Sequence, residues 1–459
     1  MLFSTLQTLL LWLVLSFLIR NKFKAGLATS LFVVFFFSYG RLFDLLEKWD
    51  VFVPSHGHLL PGILLVWGYC VYFIKTAKRD FRITTKNLNK MAVVLVLVNL
   101  FTIAFHEIGK PGRPAGNLTQ PQAGLTALGN STEIRIKPDI YYIILDEYAH
   151  PDTMAQYYSY DNSQFTNYLV DKGFFIARGS RTVTVKSQNS IATSLNMEYL
   201  PADTPPRVAY QMIAKSKVAD FLRSRGYKYI YIGSFFDIGR YKVDADLSYN
   251  FYQSRGSSAV GDFSSILLNT TMFKPFYNHL IGSQYLDYYQ RATIDSLAQL
   301  KKMPGIEGPK FVFIHLMLPH ANFVFGPEGE PIDPINWSNF KDKQFYLGQY
   351  VFANKQIENV VSVLLQESSS PPVIIIQSDH GIRPRSDLQV GIDEWQKILN
   401  AYYLPDNGKD SLYDSISPAN SFRLIFNLYF GADYDLLEDL RSPQYQWVDE
   451  SWKIVQKDG

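Results

Sequence analysis

Cysteine is almost missing from this chain: Cys70 is the single one in 459 residues. That excludes an intramolecular disulfide and any metal site built on thiolates. It leaves the compartment open, because a domain of this size needs no covalent staples. An excess of either charge is missing too. Lys and Arg total 44 against 42 Asp and Glu, a formal charge of +2. Nucleic-acid binding needs a strongly basic face, so no nucleic-acid partner is expected. Histidine is scarce, with eight residues. No internal repeat of period ~20–50 is visible, so the chain is not read as a repeat array.

Aromatic residues are abundant, at 15%, and many fall near the amino end. Four apolar stretches stand out there, at 3–19, 26–46, 58–75 and 90–106. Each roughly meets the ~20 residues that a bilayer span requires. The first lacks Lys or Arg at its amino end, and no small-residue cleavage site follows it. It is therefore read as a retained helix and not a signal peptide. The loops give the orientation. Arg20, Lys22 and Lys24 occupy the first, and Lys75, Lys78, Arg79, Arg82, Lys86 and Lys90 the third. The second holds Asp44, Glu47 and Asp50 against Arg41 and Lys48. Positive loops stay inside, so both termini, and all that follows the fourth stretch, are expected outside.

The expected organisation is a transmembrane domain of about four helices over 1–106, a linker over 107–136 and a catalytic domain over 137–459. The linker is rich in Gly, Pro, Asn, Thr and Gln and keeps no apolar period. Beyond it, apolar strands alternate with amphipathic helices. Strands are predicted over 139–145, 227–232, 310–315, 373–377 and 400–404, and helices over 160–172, 188–196, 215–225, 284–302, 343–366 and 419–430. Such alternation implies a mostly parallel sheet covered by helices on both faces.

Polar residues appear where the apolar strands stop. The run Val373 to Ile376 ends in Gln377-Ser378-Asp379-His380-Gly381. An acid beside an imidazole at a strand's carboxyl end is a natural half-set of metal ligands, at the edge where open α/β sheets bind ligands. A lone Asp-His would be read as a solvated turn. Here, however, the strand over 139–145 also ends in acid, Asp146-Glu147, and the strand over 310–315 delivers His315, followed by Pro319-His320. If these strands are parallel neighbours, the groups converge at one sheet edge.

The segments IYYIILDEYAHPD, SLNMEYL at 194–200, HLMLPH at 315–320, SDHG at 378–381 and SPANSFRLIFNLYFG at 417–431 carry a resemblance to the alkaline phosphatase/sulfatase superfamily. More narrowly, they resemble the membrane-anchored sulfatase-like hydrolases and transferases, the group that includes lipoteichoic acid synthases and phosphoethanolamine transferases. The resemblance implies an α/β alkaline-phosphatase-like domain. It also implies a divalent metal, zinc or manganese, held by Asp146, Asp379, His380 and the hydroxyl of Ser187. Ser187 is then the nucleophile. His320 and His315 match the family's substrate-binding histidines, with His320 placed to protonate a leaving group, and Lys186 is a further phosphate contact. Thr184 and Ser190 stay open as alternative registers for the nucleophile. The sequence departs from the family here, with Ser in place of the usual Thr. Glu147 is a further ligand, a partner to one, or exposed, with the weight on the last two.

Such a donor set has a clear chemical purpose. A serine hydroxyl is a poor nucleophile at neutral pH, and a divalent cation activates it and neutralises phosphoryl charge. Sulfatases proper make their nucleophile from Cys or Ser in a Cys/Ser-x-Pro-x-Arg motif. Ser187 is followed by Gln-Asn-Ser-Ile, which excludes that route. The resemblance therefore implies a metal-dependent phospho-transferase in the bacterial cytoplasmic membrane, its catalytic domain on the periplasmic or extracellular side. It would move a phospho-substituent from a phospholipid to an envelope glycan. The alternatives are a phosphodiesterase or phosphatase of the same fold, or a non-catalytic member acting in envelope polysaccharide assembly.

Overall fold

A computed structural model of the protein describes residues 2–48, 55–88, 90, 137–201, 203–233, 243–250, 267–276, 282–332, 343–383, 390–440, 445–448 and 451–454. The chain forms two compact units, one of Met1–Gly129 with Ser258–Leu280, the other of Asn130–Ser257 with Ile281–Gly459. The segment expected as a linker lies outside the described residues.

In the first unit, α1 covers Leu2–Ile19, α2 Lys22–Lys48 and α3 His56–Thr76. Asn21 sets the start of α2 by accepting the N–H groups of Phe23 and Lys24 at 3.0 and 3.2 Å, a side-chain cap for orphaned donors. Ser55 does the same for α3 through the N–H of Gly57. Lys24 Nζ donates to the carbonyls of Lys75 and Ala77, and Thr85 donates to the carbonyl of Phe23. The start of α2 and the end of α3 are therefore neighbours, so the two Lys/Arg-rich loops share one side. Among the described residues, Lys22–Leu46 and His56–Thr76 are long and apolar enough to cross a membrane, and Leu6–Ile19 is a shorter apolar helix. The fourth expected span, 90–106, falls outside the described residues.

The second unit is built on a seven-stranded sheet. Its strands are β1 Ile140–Leu145, β2 Phe175–Ile176, β3 Lys228–Gly233, β4 Leu247–Asn250, β5 Lys310–Leu316, β6 Val373–Ser378 and β7 Asn400–Tyr403, in the order β2-β7-β6-β1-β5-β3-β4. The five strands from β6 to β4 are parallel, and β7 and β2 close one edge antiparallel. The mostly parallel sheet expected from the sequence is therefore present.

Both faces are covered. Tyr141, Ile143 and Leu145 of β1 pack with Ile374 and Ile376 of β6 against α5 (Ser163–Asp171), α9 (Gly282–Lys302) and α10 (Lys343–Glu367). Ile140, Tyr142 and Ile144 face the other way. They pack against α6 (Ser187–Asn196), α7 (Pro206–Ala214), α8 (Lys217–Ser224) and α12 (Pro418–Phe430). This is period-2 alternation with both faces apolar, so the strand reads as a continuous run. Three helices escaped the sequence reading: α4 (Pro151–Tyr158), α7 and the five-residue α11 (Ile392–Gln396). The first two open on proline, which breaks an apolar pattern but is tolerated in a first helical turn.

At the amino-terminal edge of the sheet, Lys310 Nζ meets Asp139 Oδ2 at 2.5 Å and also donates to the carbonyl of Ile306. The lysine side chain is 2% exposed and the aspartate 11%. Breaking a buried pair from one side is expensive, because a lone charge stays behind. Lys310→Met is expected to destabilise the unit by about 3 kcal/mol in urea melts, and the double change Asp139→Asn/Lys310→Met to recover most of that loss.

Candidate active site

Strand register builds the site. Leu145 pairs with Leu316 on one side and with Ser378 on the other, and Ile144 pairs with His315. The ladder continues one step further. The N–H of Asp146 donates to the carbonyl of Leu316, and that of Asp379 to the carbonyl of Leu145. Side chains two apart share a face, so Asp146 follows Tyr142 and Ile144. Asp379 is level with it on the neighbouring strand, and His315 lies one pleat behind. That is the face covered by α6, and Ser187 is the first residue of α6.

The groups meet there. His315 Nε2 lies 3.2 Å from Asp146 Oδ2. His380 Nε2 lies 3.5 Å from Asp379 Oδ2 and 4.0 Å from Asp146 Oδ1. Ser187 Oγ is 3.3 Å from His380 Nε2. The two alternative hydroxyls are engaged elsewhere: Thr184 Oγ1 accepts the N–H of Lys186, and Ser190 Oγ sits 3.3 Å from Thr182 Oγ1. Lys186 is half-buried at the cap position before Ser187.

His315 is 1% exposed and lies against the buried acids. Its ring nitrogen and one carboxylate oxygen each from Asp146 and Asp379 lie within 4.8 Å of one another. The reason is its position within the β5 ladder, where it is held by main-chain pairing. His320 lies beyond the strand and is half-buried, its Nε2 3.8 Å from Glu147 Oε2. The loop that bears it is held by Gln349 of α10. That amide donates to the carbonyls of Pro319, His320 and Asn322 and accepts the N–H groups of Val324 and Phe325.

Of the readings left open for Glu147, exposure is the one that the structure removes. The residue is 3% exposed, in a left-handed backbone conformation at φ 58° that non-glycine residues adopt rarely. Its N–H donates to Asp379 Oδ1, its Oε1 accepts the N–H of Arg383, and its carbonyl accepts the hydroxyl of Tyr346. The Tyr346 hydroxyl also accepts the N–H of Ala149. This bend turns the second acid of the pair inward, where an alternating strand would have turned it out. Two acids in a row were the only sequence signal for it.

Trp395, on α11 (Ile392–Gln396), gave no sequence signal at all. Its Nε1 donates to His380 Nδ1 at 2.9 Å. The backbone of this segment reaches the site because position 381 is glycine. A Cβ there would sit 2.7 to 3.0 Å from the carbonyl oxygens of Glu394, Lys397 and Trp395. The Gly381 carbonyl lies 2.8 Å from the same Nδ1.

The electrostatics suit a cation. Burial pushes the Asp146 carboxyl up, but His320, His315 and His380 together hold it well below the usual range. Burial and the charge of Asp146 push Asp379 up, with His380 and His315 opposing. Asp146 Oδ1 and Asp379 Oδ2 are buried and accept no hydrogen bond. Buried carboxylate oxygens normally find a donor. Two such oxygens beside imidazole nitrogens are the donor set of a divalent metal, so Asp146, Asp379, His315 and His380 fit the group. Glu147 lies next to them.

The Sulfatase family model matches residues 138–416, more than half of the chain. Among solved structures, the C-terminal periplasmic domain of EcEptC from Escherichia coli, in complex with Zn, is similar with a TM-score of 0.45 at 12% identity, over 65% of this chain and 84% of that one. The C-terminal periplasmic domain of the phosphoethanolamine transferase EptC from Campylobacter jejuni gives 0.38 at 11%, over 66% and 92%. The lipoteichoic acid synthase LtaP from Listeria monocytogenes gives 0.40 at 15%, over 64% and 72%. No curated protein sequence matches the chain.

The raised Asp379 carboxyl fixes a sign. In the metal-free protein the folded state holds its proton more tightly than the unfolded chain does. Its ionisation therefore costs stability as pH rises through the raised value, and a metal must displace that proton. Zinc affinity is expected to fall as pH is lowered from neutrality, with proton release on binding read by calorimetry in two buffers. Asp379→Asn is expected to keep or raise the melting temperature of the metal-free protein. It should also abolish the metal-induced rise, which for wild type corresponds to about 2.7 kcal/mol at a hundredfold excess over Kd.

Proposed function

We propose that this chain, which belongs to the sulfatase family, is a membrane-held, metal-dependent phospho-transferase. It moves a phospho-substituent from a phospholipid to an envelope glycan by way of a covalent intermediate on Ser187. The observation that carries the reading is the approach of Ser187 Oγ to 3.3 Å from His380 Nε2, beside two buried acids whose free oxygens call for a cation. The missing Pro and Arg after Ser187 remove the formylglycine route and leave serine itself as the nucleophile. Two apolar helices near the amino end support a donor drawn from the membrane. In this reading residues 1–106 are the membrane domain, 107–136 the tether, and the domain from 137 onward works on the outer face of the cytoplasmic membrane.

Asp146, Asp379, His315 and His380 would hold the metal, zinc or manganese, with Ser187 completing the set. A bound divalent cation supplies a Lewis acid that lowers the pKa of the serine hydroxyl and neutralises phosphoryl charge. Ser187, its hydroxyl proton already lost to solvent, attacks the donor phosphorus as the alkoxide, the Oγ–P bond forms, and the bond from phosphorus to the diacylglycerol oxygen breaks. His320 gives that oxygen its proton. Glu147, 3.8 Å from His320 Nε2, orients the ring. The open N–H groups at the start of α6, with Arg383 and Lys186, bind the phosphoryl oxygens. An acceptor hydroxyl then attacks the same phosphorus and returns its proton to His320 as the Oγ–P bond breaks.

Vesicles of labelled phosphatidylethanolamine and phosphatidylglycerol test this. Wild type loaded with zinc or manganese is expected to release diacylglycerol and to carry the label on the peptide containing Ser187, as read by mass spectrometry. Ser187→Ala is expected to lose about 10³-fold or more in turnover with metal content unchanged. Release to water without any dependence on a glycan acceptor would make the protein a phosphodiesterase. Bound metal with no turnover of either lipid would favour the non-catalytic alternative.

A further inference from the structure

Residues 267–276 lie between β4 and α9 of the α/β unit in sequence, yet belong to the unit of the apolar helices. Their seat on α2 is specific. A Cβ on Gly40 would lie 1.9 Å from the carbonyl oxygen of Asn269 and 2.8 Å from the Cα of Thr270. Only a glycine lets backbone meet backbone so closely. The N–H of Met272 donates to the carbonyl of Phe36 at 3.0 Å. The Phe273 ring meets Phe36 edge-on at 5.3 Å. Lys274 pairs with Asp44 and lies 4.9 Å over the ring of Phe43.

These contacts are at the end of α2 away from the Lys/Arg-rich loops, since its start neighbours Lys75 and Thr85. If basic loops stay inside, residues 36–44 lie toward the outer surface. The docked segment leaves Phe273 38% and Phe276 56% exposed, on the same unit as the exposed Leu42 and Leu45 of α2. Exposed phenylalanines on one side of a short segment and a lysine on it match the pattern of segments that bury apolar rings at the headgroup boundary.

We propose that residues 267–276 are an interfacial anchor. Gly40 and the Lys274–Asp44 pair seat the segment on α2, Phe273 and Phe276 bed it in the outer leaflet of a phospholipid bilayer, and the site thereby acts on membrane-borne substrate in preference to soluble substrate. The selectivity part rests on the phospholipid reading above. The gain is one of effective concentration, not of new chemistry. The chain returns to the unit of the apolar helices a second time at this segment.

The experiment uses the full chain in phosphatidylethanolamine/phosphatidylglycerol vesicles, in a Cys70→Ala background. An environment-sensitive fluorophore on Phe276→Cys is expected to shift blue and to be quenched by spin-labelled lipid. An unshifted, unquenched label overturns the anchor. The pair Asp44→Cys with Lys274→Cys is expected to be joined by a short bismaleimide, and failure to join overturns the seat on α2. Gly40→Val is expected to lower turnover of vesicle lipid by about tenfold while a soluble chromogenic phosphodiester is turned over as by wild type. Because Gly40→Val can also disturb folding, Lys274→Glu and Asp44→Lys are measured singly and together. Each alone is expected to lower the vesicle-to-soluble ratio and the pair to restore it. An unchanged ratio in Gly40→Val and both single variants overturns the selectivity. Wild type inactive on lipid but with a quenched label would sink the phospholipid reading and support the anchor.

Discussion

Leu145 of β1 stands level with Leu316 of β5 and with Ser378 of β6, and the site depends on this register. Slipping any one strand by a residue would turn its polar end to the opposite face. Asp146 would then point toward α10, or Asp379 away from α6, and no cluster would exist. The register is held because the alternating side chains of all three strands are buried on both faces. Each slip would have to repack aromatic layers such as Tyr142 on Phe313 and Tyr229 on Phe311. Close packing of such layers tolerates little change of shape.

The same burial makes the cluster costly. Two carboxylates out of water, each short of a hydrogen bond, are unfavourable unless a positive group stands between them. The surroundings are accordingly rigid. Tyr148, Tyr350, Asn162 and Asn354 form a closed, buried hydrogen-bond network behind the turn that carries Asp146 and Glu147. Tyr350 donates to the carbonyl of Ala149, and Tyr346 grips the turn from both sides of Tyr148. A fully satisfied network of this kind fixes one geometry. The αL bend at Glu147 is the strained residue such a frame can sustain.

Legibility from sequence followed chemistry and period. The strand ends at Asp146, His315 and Asp379-His380 were visible as polar residues that stop apolar runs, and Ser187 only through the family resemblance, with Thr184 and Ser190 left open. Glu147 was visible as a residue but not as a buried one, because its direction is set by a single backbone bend. Trp395 and Gln349 were invisible. Each acts from an element far away in sequence, and an amide or an indole in a helix carries no mark of its target. The proline-led helices α4 and α7 were lost to a local break signal, and the residues around 267–276 showed no period at all, because their partners are in α2.

By itself the sequence determined the kind of sheet, the apolar helices at the amino end and the residue types able to hold a cation. These follow from periodicity, length and donor chemistry, which are properties of short stretches. Only the tertiary structure decided that His315 belongs inside the acid cluster, that Glu147 turns inward, and that residues 267–276 sit with the apolar helices. Those outcomes depend on strand register, on hydrogen bonds from remote helices and on a close approach at Gly40. No such contact is encoded within a window of neighbouring residues. It exists only once distant segments are packed together.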